Sequence, residues 1–181
     1  TARPKGNDAP LAQVINLDVR RRIASFPLSG APHPGSAIRF AWNGSVELAI
    51  SNREDGTVTV LNTKTWKVVK TIATADAGYF MRSHEHSPYV WADSMMSTAA
   101  RDTLTVIDKR TLEPAALVRV PGHSLAHIEF TKDGRYAVAS LMETDGALIV
   151  YDATTLREVK RLSMRKPIGK YNVWNSLGRS G

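Results

Sequence analysis

Side chains that could do chemistry are densest in the stretch MRSHEHSPYVWAD, residues 81–93. Arg82 and His84 are two residues apart, so on a β-strand their side chains share one face. Arginine binds carboxylates through paired N–H groups, and histidine exchanges protons or binds metal near neutral pH. Glu85 and His86 are expected to point outward or to belong to the following turn. The stretch is therefore either a ligand-binding strand, with Arg82 and His84 inward, or the polar edge of an ordinary sheet.

A further histidine, His33, lies in APHPGSAIRF, residues 31–40. The prolines on either side of it fix the backbone, and Gly35 permits a close turn. Such a stiff loop would present the imidazole to a ligand in one orientation. The alternative is a plain proline turn, because a single histidine at a strand start is more often structural than functional.

The stretch MRKPIGKYNVWN, residues 164–175, combines a glycine-containing loop with charge and aromatic surface. At Gly169 the backbone can approach a ligand closely, Lys170 adds a cation and Tyr171 adds a ring. The alternative is a solvent-facing turn followed by a strand.

A repeat positions these stretches. Four segments each contain an alternating apolar run, a polar turn and a second apolar run, which is typical of a β-hairpin. We align them on the polar residue that ends the first run: Asp18, Asn62, Asp108 and Asp152. These residues are 44, 46 and 44 positions apart. The chain is therefore a repeat array.

Further strand candidates lie between the hairpins and give about four strands per unit. This number of strands in a period of roughly 40 to 50 residues indicates β-propeller blades, whereas a helical repeat would need apolar residues at helical spacing. We expect an all-β propeller of four-stranded antiparallel blades, with about four blades in one domain over residues 1–181. The units lie near residues 13–56, 57–102, 103–146 and 147–181. Four blades are fewer than most closed rings contain, which indicates part of a larger propeller or half of a ring.

The unusual residues fall at a similar phase of the repeat. Counted from the reference residue of its unit, His33 is 15 positions on, Phe80 is 18, His84 is 22, His127 is 19 and Gly169 is 17. The innermost strand of each propeller blade begins beside the central channel. These residues are therefore predicted to converge on one site around that channel.

Composition narrows the function classes. Lys and Arg outnumber Asp and Glu by 24 to 17, which favours an acidic ligand, but they are scattered rather than gathered in one patch, which disfavours nucleic acid. The chain has no cysteine, so disulfides and covalent c-type haem attachment within it are excluded. No apolar run of 18 residues and no signal peptide is recognised, and we expect no membrane span and a mature or excised segment.

Taken together, MRSHE, AHIEF and KPIGKYNVWN resemble the haem d1 propeller proteins of denitrifying bacteria. That family includes cytochrome cd1 nitrite reductase, dihydro-haem d1 dehydrogenase and the NirF-type protein. The resemblance runs from the strand before APHPG to GKYNVWN. It implies the C-terminal half of an eight-bladed propeller that holds haem d1 in its channel. The proximal iron ligand is expected in the blades that have no match here, so no metal ligand is assigned within this chain.

The resemblance also implies roles for single residues. His33 matches a distal-face histidine with which the reductase protonates nitrite, and Phe80 matches an aromatic residue beside the macrocycle. Gly169 and Tyr171 match a last-blade loop that touches the ring. His127 stands where the reductase has glutamine. We predict His33 and His127 as catalytic residues that also contact the cofactor.

Other residues are predicted to hold or surround the cofactor. Haem d1 carries several carboxylates, for which Arg82 and Lys170 are the candidate partners, while His84 is expected to face the same channel. The reductase has arginine in place of Ser36 and threonine in place of Ile168. These departures put a dihydro-haem d1 dehydrogenase-like function ahead of nitrite reduction. A non-catalytic haem d1 binder or propeller scaffold is the third alternative.

The resemblance sets further expectations. The cofactor would be haem d1 or its dihydro precursor, and c-type haem is expected only outside this segment. A c-type cytochrome is the candidate electron partner, the compartment is the periplasm, and two copies could close a ring as a homodimer. The whole protein is expected to be an oxidoreductase of denitrification, and this segment alone is expected to be inactive.

Overall fold

The computed structural model describes residues 11–28 and 30–170. Four antiparallel sheets follow one another along the chain, and within each sheet every strand pairs with the next in sequence. The first described sheet has two strands, β1 (Leu11–Asn16) and β2 (Arg21–Pro27). The second has β3 (Ile38–Trp42), β4 (Ser45–Ser51), β5 (Thr57–Asn62) and β6 (Val68–Ala73).

The third sheet contains β7 (Met81–Ser83), β8 (Tyr89–Asp93), β9 (Thr103–Asp108) and β10 (Glu113–Arg119). The fourth contains β11 (Leu125–Phe130), β12 (Tyr136–Leu141), β13 (Ala147–Asp152) and β14 (Glu158–Ser163). One short 3-10 helix, Pro34–Ser36, precedes β3. The prediction of an all-β chain of four-stranded blades is confirmed. Three blades are complete, and β1 and β2 form the outer hairpin of a fourth within the described residues.

The hairpin turns explain the repeat. At the end of the third strand, a side-chain oxygen accepts the backbone N–H groups two and three residues later, at 2.7 to 3.0 Å, which stabilises the turn. The residues that do this are Asn62, Asp108 and Asp152. In the first sheet the same contact is made by Asn16 rather than Asp18. The structural repeat is therefore 46, 46 and 44 residues, and the alignment on Asp18 is two residues late.

Apolar side chains fill the three spaces between successive sheets. One core lies between the third and fourth sheets and includes Trp91, Leu104 and Ile149. Another lies between the second and third sheets and includes Val60 and Met81, and a smaller one joins the first sheet to the second. Every residue of β11 is buried, whereas every residue of β14 is exposed. The fourth sheet thus has a buried inner strand and an exposed outer strand.

The first strands of the complete sheets lie side by side, because β7 contacts both β3 and β11. This is the arrangement of propeller blades around an axis. The repeat units seen in the sequence begin at the third strand of a sheet, so each unit joins the outer hairpin of one blade to the inner strands of the next. Among the described residues, no helix is long and apolar enough to cross a membrane.

Candidate ligand site at the start of the inner strands

His33 is held in place by the end of β4. Its backbone N–H donates to the Ser51 carbonyl at 2.9 Å. Its Nδ1 lies 3.1 Å from the Tyr79 carbonyl oxygen and 3.0 Å from Ser36 Oγ. Because a carbonyl can only accept, Nδ1 carries the hydrogen, and Nε2 of the neutral imidazole keeps its lone pair. The loop therefore fixes the tautomer of His33 as well as its position.

A row of four rings crosses three neighbouring sheets. The rings of His33 and Tyr79 stack with centroids 3.8 Å apart and planes tilted by 33°. Tyr79 and Phe80 meet edge to face at 4.7 Å, and Phe80 meets His127 at 4.5 Å. Tyr79 and Phe80 directly precede β7, and His127 lies near the start of β11. The inner strands thus bring two imidazoles together with two aromatic rings.

The buried carboxylate of Asp93 connects the second half of this row. Asp93 is the last residue of β8 and is 1% exposed. Its Oδ1 accepts the N–H groups of Tyr79 at 2.8 Å and Phe80 at 3.1 Å, and its Oδ2 lies 3.5 Å from the His127 nitrogen. Burial raises the pKa of Asp93 to about 6, although these N–H donors oppose the rise. Asp93 is therefore mainly ionised at neutral pH.

His127 has an unusual backbone for a strand residue. Its φ is +55°, in the left-handed region, where the pairing of β11 with β12 shifts register. This conformation costs about 1 kcal/mol or more for a side chain with Cβ. Burial, followed by the charges of Lys170 and Arg82, lowers the pKa of His127 to about 4. Its imidazole is therefore neutral at physiological pH.

Lys170 contacts the backbone of His127. Its Nζ donates to the His127 carbonyl and to Ser140 Oγ, the latter at 2.6 Å. Burial lowers the pKa of Lys170 to about 8, while the charge of Glu129 opposes the shift. Among the described residues these contacts use two of its three N–H donors, which leaves one for a ligand anion.

Arg82 lies further along β7 and ties it to β11. Its Nε donates to Glu129 Oε1 at 2.8 Å, and Nη1 donates to the Met81 carbonyl at 3.0 Å. The side chains of Arg82 and Glu129 are only 15% and 6% exposed. Removing one member of so buried an ion pair would weaken the compensation of the other charge, which is costly. The cations of Arg82 and Lys170 share the nearby carboxylate of Glu129.

The structure separates His84 from the row of rings. His84 follows β7, four residues beyond Phe80, which corresponds to about 13 Å along an extended chain. Its Nδ1 accepts the His86 N–H at 3.2 Å, so Nε2 carries the hydrogen and donates to the Lys132 carbonyl at 3.1 Å. A side chain at Gly134 would clash with this imidazole. His84 therefore joins its blade to the turn after β11, and its role in cofactor binding stays a prediction.

Comparison with known proteins decides the family. The family model described as "Cytochrome D1 heme domain" matches residues 7–176. The chain belongs to the cytochrome D1 haem domain family. Dihydro-heme d1 dehydrogenase of Pseudomonas aeruginosa is 49% identical to it over 167 residues, which are 92% of this chain. They are 34% of that protein, so the chain spans about a third of the length of this relative.

Solved structures agree with the fold of a D1 haem domain. The structure of dihydro-heme d1 dehydrogenase NirN in complex with DHE matches with a TM-score of 0.88 and 48% identity, over 95% of this chain and 37% of that one. Hydrazine synthase from Kuenenia stuttgartiensis matches with a TM-score of 0.72 and 15% identity, over 86% of this chain and 43% of that one. The second match is a likeness of fold alone. The predicted family and propeller fold are thus confirmed.

The predicted site residues of this D1 haem domain divide into three groups. Those brought together at the start of the inner strands are His33, Phe80, His127 and Lys170, with Arg82 one step along β7. Gly169 adjoins Lys170 and has φ of +78°, a conformation that favours glycine. His84 lies at the other end of its blade, and Tyr171 lies outside the described residues.

Sequence reasoning missed Tyr79 and Asp93. Tyr79 is adjacent to the predicted Phe80, but neither ring type nor spacing showed that it would stack on His33. Asp93 ends the run YVWAD, where an acidic residue at the end of a buried strand looks like an ordinary strand end. No sequence signal marked it, because its position opposite Phe80, whose carbonyl accepts the Asp93 N–H at 3.0 Å, is defined only in the folded chain.

Proposed function

We propose that this chain is part of a dihydro-haem d1 dehydrogenase-like oxidoreductase of denitrification. We propose further that the row formed by His33, Tyr79, Phe80 and His127 is one wall of its tetrapyrrole site. The observation that carries the proposal is this convergence of rings from three blades in a D1 haem domain. The 49% identity to a dihydro-heme d1 dehydrogenase supports the choice of reaction.

The residues fit such a cofactor. A macrocycle needs flat apolar contacts, which Phe80 and Tyr79 provide, and its carboxylates need cations when they leave water. Lys170 and Arg82 are partly buried cations with N–H donors beyond those engaged in the described contacts. We assign the carboxylates to these two side chains.

Bound dihydro-haem d1 would supply the oxidisable macrocycle, and its oxidation releases two electrons and two protons. His127 is the proton acceptor in this proposal, because its imidazole is neutral and buried against Phe80. Ligand carboxylates beside Lys170 and Arg82 would offset the charges that lower the pKa of His127 and would make it a stronger base. His33, whose Nδ1 is bound to the Tyr79 carbonyl, is the second polar group of the wall.

Nitrite reduction fits this wall less well. Ser36, where the reductase has arginine, is 1% exposed and packs between Ser51 and the Tyr79 carbonyl, with Oγ distances of 3.2 and 2.5 Å. The position therefore holds the backbone together and offers no cation to an anionic substrate.

The setting is also part of the proposal. We place the protein in the periplasm, with a c-type cytochrome as electron partner and c-type haem outside this segment. A homodimer would bring the exposed faces at the two ends of the sheet stack together. Support comes from the family and from those exposed apolar faces.

The test is anaerobic incubation of the full-length protein with dihydro-haem d1 and a one-electron acceptor, followed by absorption spectroscopy. We expect conversion to haem d1 without consumption of added nitrite. Faster nitrite consumption than dehydrogenation would favour the reductase. Tight binding with neither reaction would favour a carrier.

A further inference from the structure

Asp93 contacts the backbone of three of the four residues whose rings form the row: Tyr79, Phe80 and His127. Its Oδ1 accepts N–H groups from Tyr79 and Phe80, and its Oδ2 faces the His127 nitrogen across the interface between two blades. The carboxylate is buried and touches no side chain of the ring row in these contacts. Its effect on the rings is therefore exerted through their backbone.

The segment before β7 is built closely onto Asp93. A side chain at Gly78 would place Cβ 2.2 Å from the Asp93 carbonyl oxygen, so only glycine fits there. The Asp93 N–H donates back to the Phe80 carbonyl at 3.0 Å. Asp93 and the Gly78–Phe80 segment thus hold each other by hydrogen bonds in both directions.

The preceding blade holds the same segment from its other side. The Tyr79 carbonyl lies 3.1 Å from His33 Nδ1, 2.5 Å from Ser36 Oγ and 3.0 Å from Ser51 Oγ. The peptide groups around Tyr79 are therefore fixed by hydrogen bonds at both the carbonyl and the N–H. One connected set of bonds runs from His33 through Tyr79 to Asp93.

Hydrogen bonds also hold the backbone of His127, although its conformation is unfavourable. Its N–H faces Asp93 and its carbonyl accepts from Lys170, while its φ lies in the left-handed region. Backbone in this region persists where the surroundings determine it. Asp93 and Lys170 supply those surroundings, one on each side of the His127 residue.

We propose that Asp93 is a positioning residue of the site, whose single carboxylate sets Phe80 of one blade and His127 of the next at their working separation. The inference rests on the proposed function for its catalytic consequence, but its structural part concerns the free protein. A carboxylate is required because both of its oxygens face N–H donors. In asparagine one oxygen would become an NH2 group, and a donor would then face the His127 N–H.

The first measurement is amide hydrogen exchange by NMR on the free protein. In Asp93→Asn we expect the His127 amide to exchange at least 10-fold faster, while Tyr79 and Phe80 stay protected because the remaining oxygen still accepts from them. The matched control is Asp152→Asn, which makes the same change in a distant turn where Asn62 already plays the equivalent part. An unchanged His127 amide in Asp93→Asn would overturn the proposal.

A second variant keeps the test decisive if Asp93→Asn does not fold. Gly78→Ala pushes the segment away from Asp93, and we expect at least 10-fold faster exchange at Tyr79 and Phe80 with less change at His127. If the Tyr79, Phe80 and His127 amides of Gly78→Ala are as well protected as in the wild type, the proposal is wrong as well.

Turnover measurements then distinguish the positioning role of Asp93 from the proposed function. With dihydro-haem d1, Asp93→Asn should lower kcat by 10-fold or more and change KM by less than about 3-fold, because His127 moves while the aromatic wall remains. A normal kcat with a faster His127 amide would overturn the positioning role and leave the proposed function standing. If the wild-type protein does not turn over, the proposed function is wrong, and amide exchange alone decides whether Asp93 sets His127.

Discussion

At the scale of single residues, His127 and Asp93 depend on pH in opposite ways. The pKa of His127 is about 4 in the folded protein, below the ordinary value near 6.5, so its contribution to stability is lost as pH falls between these values. The pKa of Asp93 is raised to about 6, so its contribution is lost as pH rises from about 4 to about 6. In the wild type these two dependences partly offset each other between pH 4 and pH 6.

The variant His127→Gln should reveal the pH dependence of stability that His127 contributes. Relative to wild type, its free energy of unfolding should improve by up to about 3 kcal/mol as pH falls from 7 to 4, because the penalty of keeping a buried imidazole unprotonated is gone. Urea unfolding at several pH values measures the difference. His86→Gln, which removes an exposed imidazole, is the matched control. A difference between His127→Gln and wild type that does not vary with pH would contradict the account.

The same variant tests the proton acceptor. Positioned general bases contribute about 10²- to 10⁴-fold to rate, so His127→Gln should lower kcat for dihydro-haem d1 within that range. Binding should change much less, since glutamine keeps a similar volume beside Phe80. Single-turnover absorption measurements separate the two quantities. Turnover equal to that of the wild type would exclude His127 as the base.

Much of the site could be predicted at this scale, and the remainder has a physical explanation. Phase in the repeat placed His33, Phe80 and His127 together because residues before the inner strands converge. It failed to separate His84, since four residues along a strand move a side chain to the other end of the blade. Asp93 could not be found because its function depends on backbone N–H groups contributed by another loop and another strand.

At the scale of elements, the hairpin turns are stabilised both by a local side-chain hydrogen bond to the backbone and by core packing. The residue four positions after the turn oxygen has a left-handed φ in each unit, at Arg20, Trp66, Leu112 and Leu156. Three of these are large apolar residues that pack into or against a core, which compensates for the backbone cost. The sequence showed the polar turn but not the backbone conformation, and it placed the first turn two residues late because LDV continues the hydrophobic pattern.

Leu112 provides the stability test for this element. It is 1% exposed, so Leu112→Ala should destabilise the protein by about 2 to 4 kcal/mol through lost burial and an added cavity. Leu117→Ala in the adjacent β10 is the control, since that side chain is 57% exposed and should cost less than about 0.5 kcal/mol. Urea unfolding compares them. Equal losses would show that the turn residue does not anchor the hairpin.

At the scale of the whole molecule, exposed apolar residues lie on the first and on the last described sheet. On the first sheet, Ile15, Leu17, Val19 and Ile23 are at least half exposed. On the last sheet and the segment after it, the exposed apolar residues are Val159, Leu162, Met164 and Ile168. Exposed apolar side chains that lie close together mark interaction sites or tend to associate.

We therefore expect the 181-residue chain to self-associate. Sedimentation should show a concentration-dependent dimer, and Leu17→Lys combined with Leu162→Lys should weaken association at least 10-fold by placing charges on both surfaces. Val68→Lys on β6, a partly exposed site away from the two ends, is the control. A monomer at every concentration would contradict the ring-closing homodimer.

The central claim is that the ring row at the start of the inner strands binds the tetrapyrrole. The direct measurement is an anaerobic absorption titration of the purified full-length protein with dihydro-haem d1, comparing His33→Ala with His86→Ala. We predict at least 10-fold weaker binding and an altered spectrum for His33→Ala, and wild-type behaviour for His86→Ala, whose imidazole lies at the other end of the blade. Equal affinity and equal spectra in the two variants would contradict it.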